Sequence, residues 1–137
     1  MRAVIDVNVW ISGFLWGGIP GKVIRLAYEK RLTSYVSEEL LIEMELTLKR
    51  QKFRARLVSR HQTVESLMQY AVTLSQLVDI PNLTFPELRD SEDAKILSTA
   101  VAAQAEILIT GDLDLLVLKS VQGISILTPA EFLATYR

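Results

Sequence analysis

Met1-Arg2-Ala3-Val4-Ile5-Asp6 opens the chain, and Ile107-Leu108-Ile109-Thr110-Gly111-Asp112 repeats its construction far downstream. In both, a short unalternating apolar run rich in β-branched residues leads to an acid. Such runs suit strands buried on both faces of a parallel sheet. Working outward, Gly17-Gly18-Ile19-Pro20-Gly21 reads as a loop by composition, and Val23, Leu26 and Ala27 give a helix over Lys22 to Lys30. Leu32 to Val36 reads as a second short strand. Ser37 is a good N-cap, Glu38 and Glu39 favour the helix dipole, and Leu40, Leu41, Met44 and Leu48 form the inward stripe, with Glu43 beside it. Val64, Leu67, Met68, Ala71 and Leu74 predict another helix, and Ile96, Leu97, Ala100 and Val101 a further one over Asp90 to Gln104. A short helix after Asp112 and a strand at Ile124 to Leu127 follow, and Thr128-Pro129-Ala130-Glu131 joins an N-cap, a proline at N1 and a capping-box Glu. Strands alternating with helices predict an α/β sandwich around a mostly parallel sheet.

Composition narrows the chemistry. The 137 residues fit one domain, and 50% are hydrophobic, so a packed core is expected. No apolar run approaches the roughly 20 residues of a membrane helix, and the first six residues do not read as a signal peptide. The expectation is therefore a cytoplasmic protein with no membrane association. There is no cysteine, which excludes disulfides, thiolate zinc sites and a cysteine nucleophile; the single His61 excludes a multi-histidine metal site. The net charge of −1 announces no overall affinity for nucleic acid, so any such binding must come from local asymmetry.

The two strand-end acids carry the functional signal. In open α/β sheets ligands bind beyond the carboxyl ends of the strands, so Asp6 and Asp112 are expected to face one crevice. Asp90 and Asp93 lie at a helix start, and Glu43 comes from the helix after the second strand. Carboxylates gathered this closely repel one another and stay ionised only if a cation joins them. Without Cys and with one His, the natural choice is a hard, oxygen-liganded ion, Mg²⁺ or Mn²⁺. Several of these residues have structural alternatives. Asp90 and Asp93 make a capping pair as readily as a ligand pair, Glu45 competes with Glu43, and Asp114 reads equally as the start of a helix. Asn8 either orients Asp6 or caps the next turn. Thr110 is either a hydrogen-bonding neighbour of the site or an ordinary end-of-strand residue. Asp6 is the hardest to explain structurally, because an acid ending an apolar strand is costly without a partner.

The ordered set Ile5-Asp6-Val7-Asn8-Val9, Ser37-Glu38-Glu39-Leu40-Leu41-Ile42-Glu43, Asp90-Ser91-Glu92-Asp93-Ala94-Lys95 and Thr110-Gly111-Asp112-Leu113-Asp114-Leu115-Leu116 resembles the PIN-domain family across essentially the whole chain. The closing Ile126-Leu127-Thr128-Pro129-Ala130-Glu131-Phe132-Leu133 resembles the VapC-like branch, the toxins of toxin–antitoxin pairs. The resemblance implies a three-layer α/β/α sandwich, a single domain over residues 1–137, and a Mg²⁺- or Mn²⁺-dependent endoribonuclease acting on RNA. It also implies a homodimer and a protein antitoxin as partner. Position by position, Asp6, Glu43, Asp93 and Asp112 match the catalytic acids, with Asp6, Asp93, Asp112 and Asp90 as metal ligands. Asp90 and Asp114 fall at supporting acidic positions that vary within the family, while Asn8 and Thr110 are supporting candidates from the reading of the residues themselves. Val7 departs from the family's usual Thr or Ser, which removes a hydroxyl but no metal ligand.

Lys49, Arg50, Lys52 and Arg54, with Arg56 and Arg60 beyond, form a stretch without an acid that reads either as a phosphate-binding surface near the crevice or as a solvated helix face. Trp10 and Trp16 read either as base-stacking platforms or as core and dimer contacts. An alternative function is a catalytically weak or silent PIN-like module that binds RNA or an antitoxin. An aspartyl-phosphate enzyme is a third class, but the haloacid-dehalogenase pattern needs an Asp where this chain has Asn8.

Overall fold

The computed structural model describes residues 1–81, 85, 88 and 92–136, with Glu92 described by its backbone alone. Asp90, an expected ligand, lies outside the described residues. A 6-stranded sheet runs in the order β3-β2-β1-β4-β6-β5. Its strands are β1 (Arg2–Ile5), β2 (Thr33–Val36), β3 (Ser75–Leu77), β4 (Ile107–Ile109), β5 (Ser120–Val121) and β6 (Ile124–Leu127). Every pairing is parallel except that of β5 with β6. The two runs that open the sequence reading are adjacent central strands, with Val4 opposite Leu108 and Ile5 opposite Ile109. Ala3, Val4, Ile5 and all of β4 are buried, as strands covered on both faces must be.

The helices are α1 (Val7–Trp16), α2 (Gly18–Tyr28), α3 (Glu38–Leu48), α4 (Arg54–Ser59), α5 (Val64–Thr73), α6 (Glu92–Ala102), α7 (Leu113–Leu116) and α8 (Pro129–Thr135). From β1 the chain steps outward through β2 to β3, then returns across the sheet to β4. Right-handed crossovers in opposite directions put their helices on opposite faces, which makes the three-layer α/β/α sandwich expected. α6 packs across β1, β2 and β4, while α1 packs on α2 and α3.

Two local elements go beyond or against the sequence reading. Val7–Trp16 is a helix with no sequence-level announcement, because it is apolar almost all round: Val7, Val9, Trp10, Ile11 and Leu15 are buried, so no amphipathic stripe exists to be read. Gly17 to Gly21 is not a loop, since α2 begins at Gly18. Gly18, Ile19 and Pro20 occupy its first turn, where backbone N–H groups have no intrahelical acceptor and proline therefore removes nothing. Gly17 and Gly18 have φ of 70° and 61°, the left-handed conformations that let the chain turn directly from α1 into α2. β3 and β5, both at the sheet edges and only 3 and 2 residues long, carry no readable alternation.

The caps behave as read. The Ser37 hydroxyl accepts from Leu40 N at 3.3 Å, and it meets Thr99 Oγ1 at 2.8 Å. Thr99 Oγ1 spends its own proton on the Lys95 carbonyl, also at 2.8 Å. Proton counting then makes Ser37 the donor to Thr99, giving a one-way chain that clamps the start of α3 to the middle of α6. The Thr128–Glu131 capping box closes at 3.0 and 3.1 Å, and the Thr128 N–H it accepts lowers the Glu131 carboxyl pKa.

Candidate metal centre

The sheet reverses its direction of growth between β1 and β4, and a crevice opens beyond their carboxyl ends at such a switch point. Both strand-end acids lie there. Asp6 follows β1, and its backbone N–H extends the ladder to Ile109 O at 2.9 Å. Asp6 is also the N-cap of α1, accepting a long 3.4 Å bond at Oδ1 from the N–H of Asn8. Asn8 thus meets Asp6 through its backbone, and its side chain is exposed.

Thr110 joins the two acids. Fully buried, it donates its hydroxyl proton to Asp6 Oδ2 at 2.5 Å and accepts the Asp112 N–H at 3.0 Å. Asp112 in turn caps α7 by accepting from Asp114 N at 2.9 Å. That cap places the Asp114 carboxylate beside its own. Asp93, in the first turn of α6, completes a set: carboxylate oxygens of Asp93, Asp112 and Asp114 all lie within 4.8 Å of one another. Among the described residues this is the cluster of acids or histidines tight enough to share one ion.

Asp6 stands next to this set rather than in it. Burial pushes its carboxyl above the ordinary range, and the Asp112 charge adds to that rise. The bonds from Thr110, Asn8 and Val7 pull the other way without offsetting the burial. Glu43, on the exposed side of α3, is likewise outside the tight set. The structure therefore brings together Asp93 and Asp112 of the expected ligands and adds Asp114. Sequence reasoning left Asp114 at a supporting position, although the Asp-Leu-Asp spacing across a helix N-cap already forces its proximity. The donor set is all oxygen, which fits a hard divalent cation such as Mg²⁺ or Mn²⁺.

The sequence matches the family described as PIN domain over residues 2–114, which takes in β1, β4 and every acid of the cluster. The chain belongs to the PIN domain family. An uncharacterized protein of Methanocaldococcus jannaschii is 33% identical over 120 residues, covering 87% of this chain and 76% of that protein. The structure is also similar to a chain of VapBC2 from Rickettsia felis, solved bound to a DNA fragment from their promoter. That match has a TM-score of 0.61 at 16% identity and covers 92% of this chain and 97% of the other. At such identity the second likeness is one of fold alone.

The other sequence candidates sort by position. Trp10 is fully buried against Phe14, with ring centroids 5.5 Å apart, so it belongs to the core of the PIN domain and cannot stack a base. Trp16 remains half exposed, with the Phe53 ring 6.1 Å away and the Arg56 guanidinium 5.5 Å over its face. Arg56 also donates to Leu15 O at 2.6 Å, so it ties α4 to α1. Lys49 pairs with Glu45 at 2.9 Å, and Lys52 lies over the Phe53 ring at 5.1 Å. α1 and α3 both start at the carboxyl edge and run away from it for about 15 Å. The Lys49–Arg54 stretch follows the far end of α3, not the crevice.

Proposed function

We propose that this PIN domain is a Mg²⁺- or Mn²⁺-dependent endoribonuclease, and that it serves as the toxin of a cytoplasmic toxin–antitoxin pair. The observation that carries the reading is the convergence of Asp93, Asp112 and Asp114 at the sheet's switch point, beside the buried Asp6. Asp93, Asp112 and Asp114 would hold the ion, with Asp6 and Glu43 supporting it. When bound, such an ion activates water and stabilises charge on a phosphoryl oxygen.

The chain's own residues do the rest. Thr110 fixes Asp6 Oδ2 and, through the Asp112 N–H, sets the spacing between the two strand-end acids. Backbone N–H groups of Asn8 and Val7, in the first turn of α1, hold the carboxylate from the other side, so its orientation toward the crevice is fixed. The Asp112 cap keeps two carboxylates side by side although they repel. The packing of α8 on α2 and β6 supports treating residues 1–137 as a single domain. Among the described residues no helix is long and apolar enough to cross a membrane. The VapBC2 likeness supports an antitoxin-type protein partner, and a homodimer is proposed with it.

Asp93→Asn and Asp112→Asn should each abolish calorimetric Mn²⁺ binding and lower cleavage of a single-stranded RNA at least a hundredfold, with unchanged circular dichroism. Mn²⁺ binding without RNA cleavage in the parent protein would favour the silent binding module instead. Full cleavage by both variants would falsify the assignment.

A further inference from the structure

A groove of about 860 Å³ opens on the other flank of α1, between α1 and α2 on one side and the α4–α5 corner on the other. Lys22 and Arg25 reach it from α2, and Arg60 and His61 from the corner. None of its lining residues is acidic, in a chain whose net charge is −1. Its rings are also open: Tyr28 is 73% and Tyr70 50% exposed. Arg25 is partly compensated by Glu29 at 3.2 Å, whereas Lys22 and Arg60 are exposed cations with no ion pair among the described residues.

We infer that this groove, rather than the Lys49–Arg54 stretch, is where the chain grips single-stranded RNA, with phosphates on Lys22 and Arg60 and bases against Tyr28 and Tyr70. Exposed cations beside exposed rings are what a single strand requires, because every base offers a π-face and every linkage a charge. α1 starts at Asp6, meets the groove at Gly13 about 10 Å along its axis and ends beside it at Gly17, so the groove lies toward the far end of α1 from the crevice. A strand that occupied both places would have to run the length of α1. The choice of RNA rests on the nuclease reading above; the groove's charge and shape do not.

The test is equilibrium binding of a fluorescent single-stranded RNA oligonucleotide to the full chain in EDTA, over a range of salt concentrations. Lys22→Ala with Arg60→Ala should weaken binding roughly tenfold at low salt. It should also flatten the dependence of log affinity on log salt by about 0.7 for each cation removed. Arg60→Lys should restore the slope, and Tyr70→Ala should weaken binding without changing it. Lys49→Ala with Arg54→Ala should bind as the parent does. Unchanged binding by the groove variants, loss confined to the Lys49 and Arg54 pair, or a mononucleotide that binds as tightly as the oligonucleotide would each overturn the inference. Because EDTA removes the need for cleavage, the two readings fail separately. Groove-dependent binding without cleavage in Mn²⁺ retires the nuclease, and cleavage with intact binding in the groove variants retires the groove.

Discussion

Thr110 has one hydroxyl proton, and the fold commits it to Asp6 while its lone pair takes the Asp112 N–H. Thr110→Val keeps the shape but leaves a buried carboxylate oxygen and a backbone N–H without this partner. We expect a loss of about 2–3 kcal/mol in urea unfolding, which Thr110→Ser should largely recover. Asp6 predicts a pH effect of definite sign. Its native carboxyl pKa is raised above the ordinary 3.8, so the folded metal-free chain holds that proton more tightly than the unfolded chain does. The contribution of Asp6 to stability is therefore greatest below the ordinary value and is lost as pH climbs through the raised native one. Asp6→Asn should flatten the urea midpoint across that window and stabilise the metal-free protein at neutral pH, while weakening Mn²⁺ binding. A variant no more stable than the parent at pH 7 would count against burial as the dominant cause.

At the scale of elements, the least legible part of the sequence is the α1–α2 corner. α1 hides its identity by being buried nearly all round, and α2 hides its start behind glycines and a proline that composition assigns to a loop. Their packing shows why the glycine at position 13 matters. A Cβ there would stand 2.3 Å from Ile24 Cδ1 and 3.1 Å from the backbone of Pro20. Ile24 can rotate away, but the Pro20 backbone cannot. Gly13→Ala should therefore cost about 1–3 kcal/mol by denaturant titration, despite the higher helix propensity of alanine. By contrast the starts of α3 and α8 were readable in full, because their capping residues act within one turn and need nothing from the rest of the molecule.

For the whole molecule, the family match ends at residue 114, but the folding unit does not. β6 pairs with β4 from Ile107 to Ile109, and Phe132 of α8 is fully buried. A chain cut after Asp114 would expose the central β4 as an edge and should aggregate or lose its cooperative thermal transition, as differential scanning calorimetry would show. What the sequence determined alone is whatever depends on near neighbours. The two apolar runs ending in acids, the caps and the helix–strand alternation were enough for an α/β fold, for two buried strands facing one crevice, and for Asp6, Asp93 and Asp112 as one acidic locality. Which carboxylates stand close enough to share an ion was decided by the tertiary structure. So was the removal of Trp10 to the core and of the Lys49–Arg54 stretch to the far end of α3. Those outcomes depend on the lengths and directions of helices launched from the sheet edge, and on distances set by residues a hundred positions apart, as with the Thr110 bond that holds Asp6.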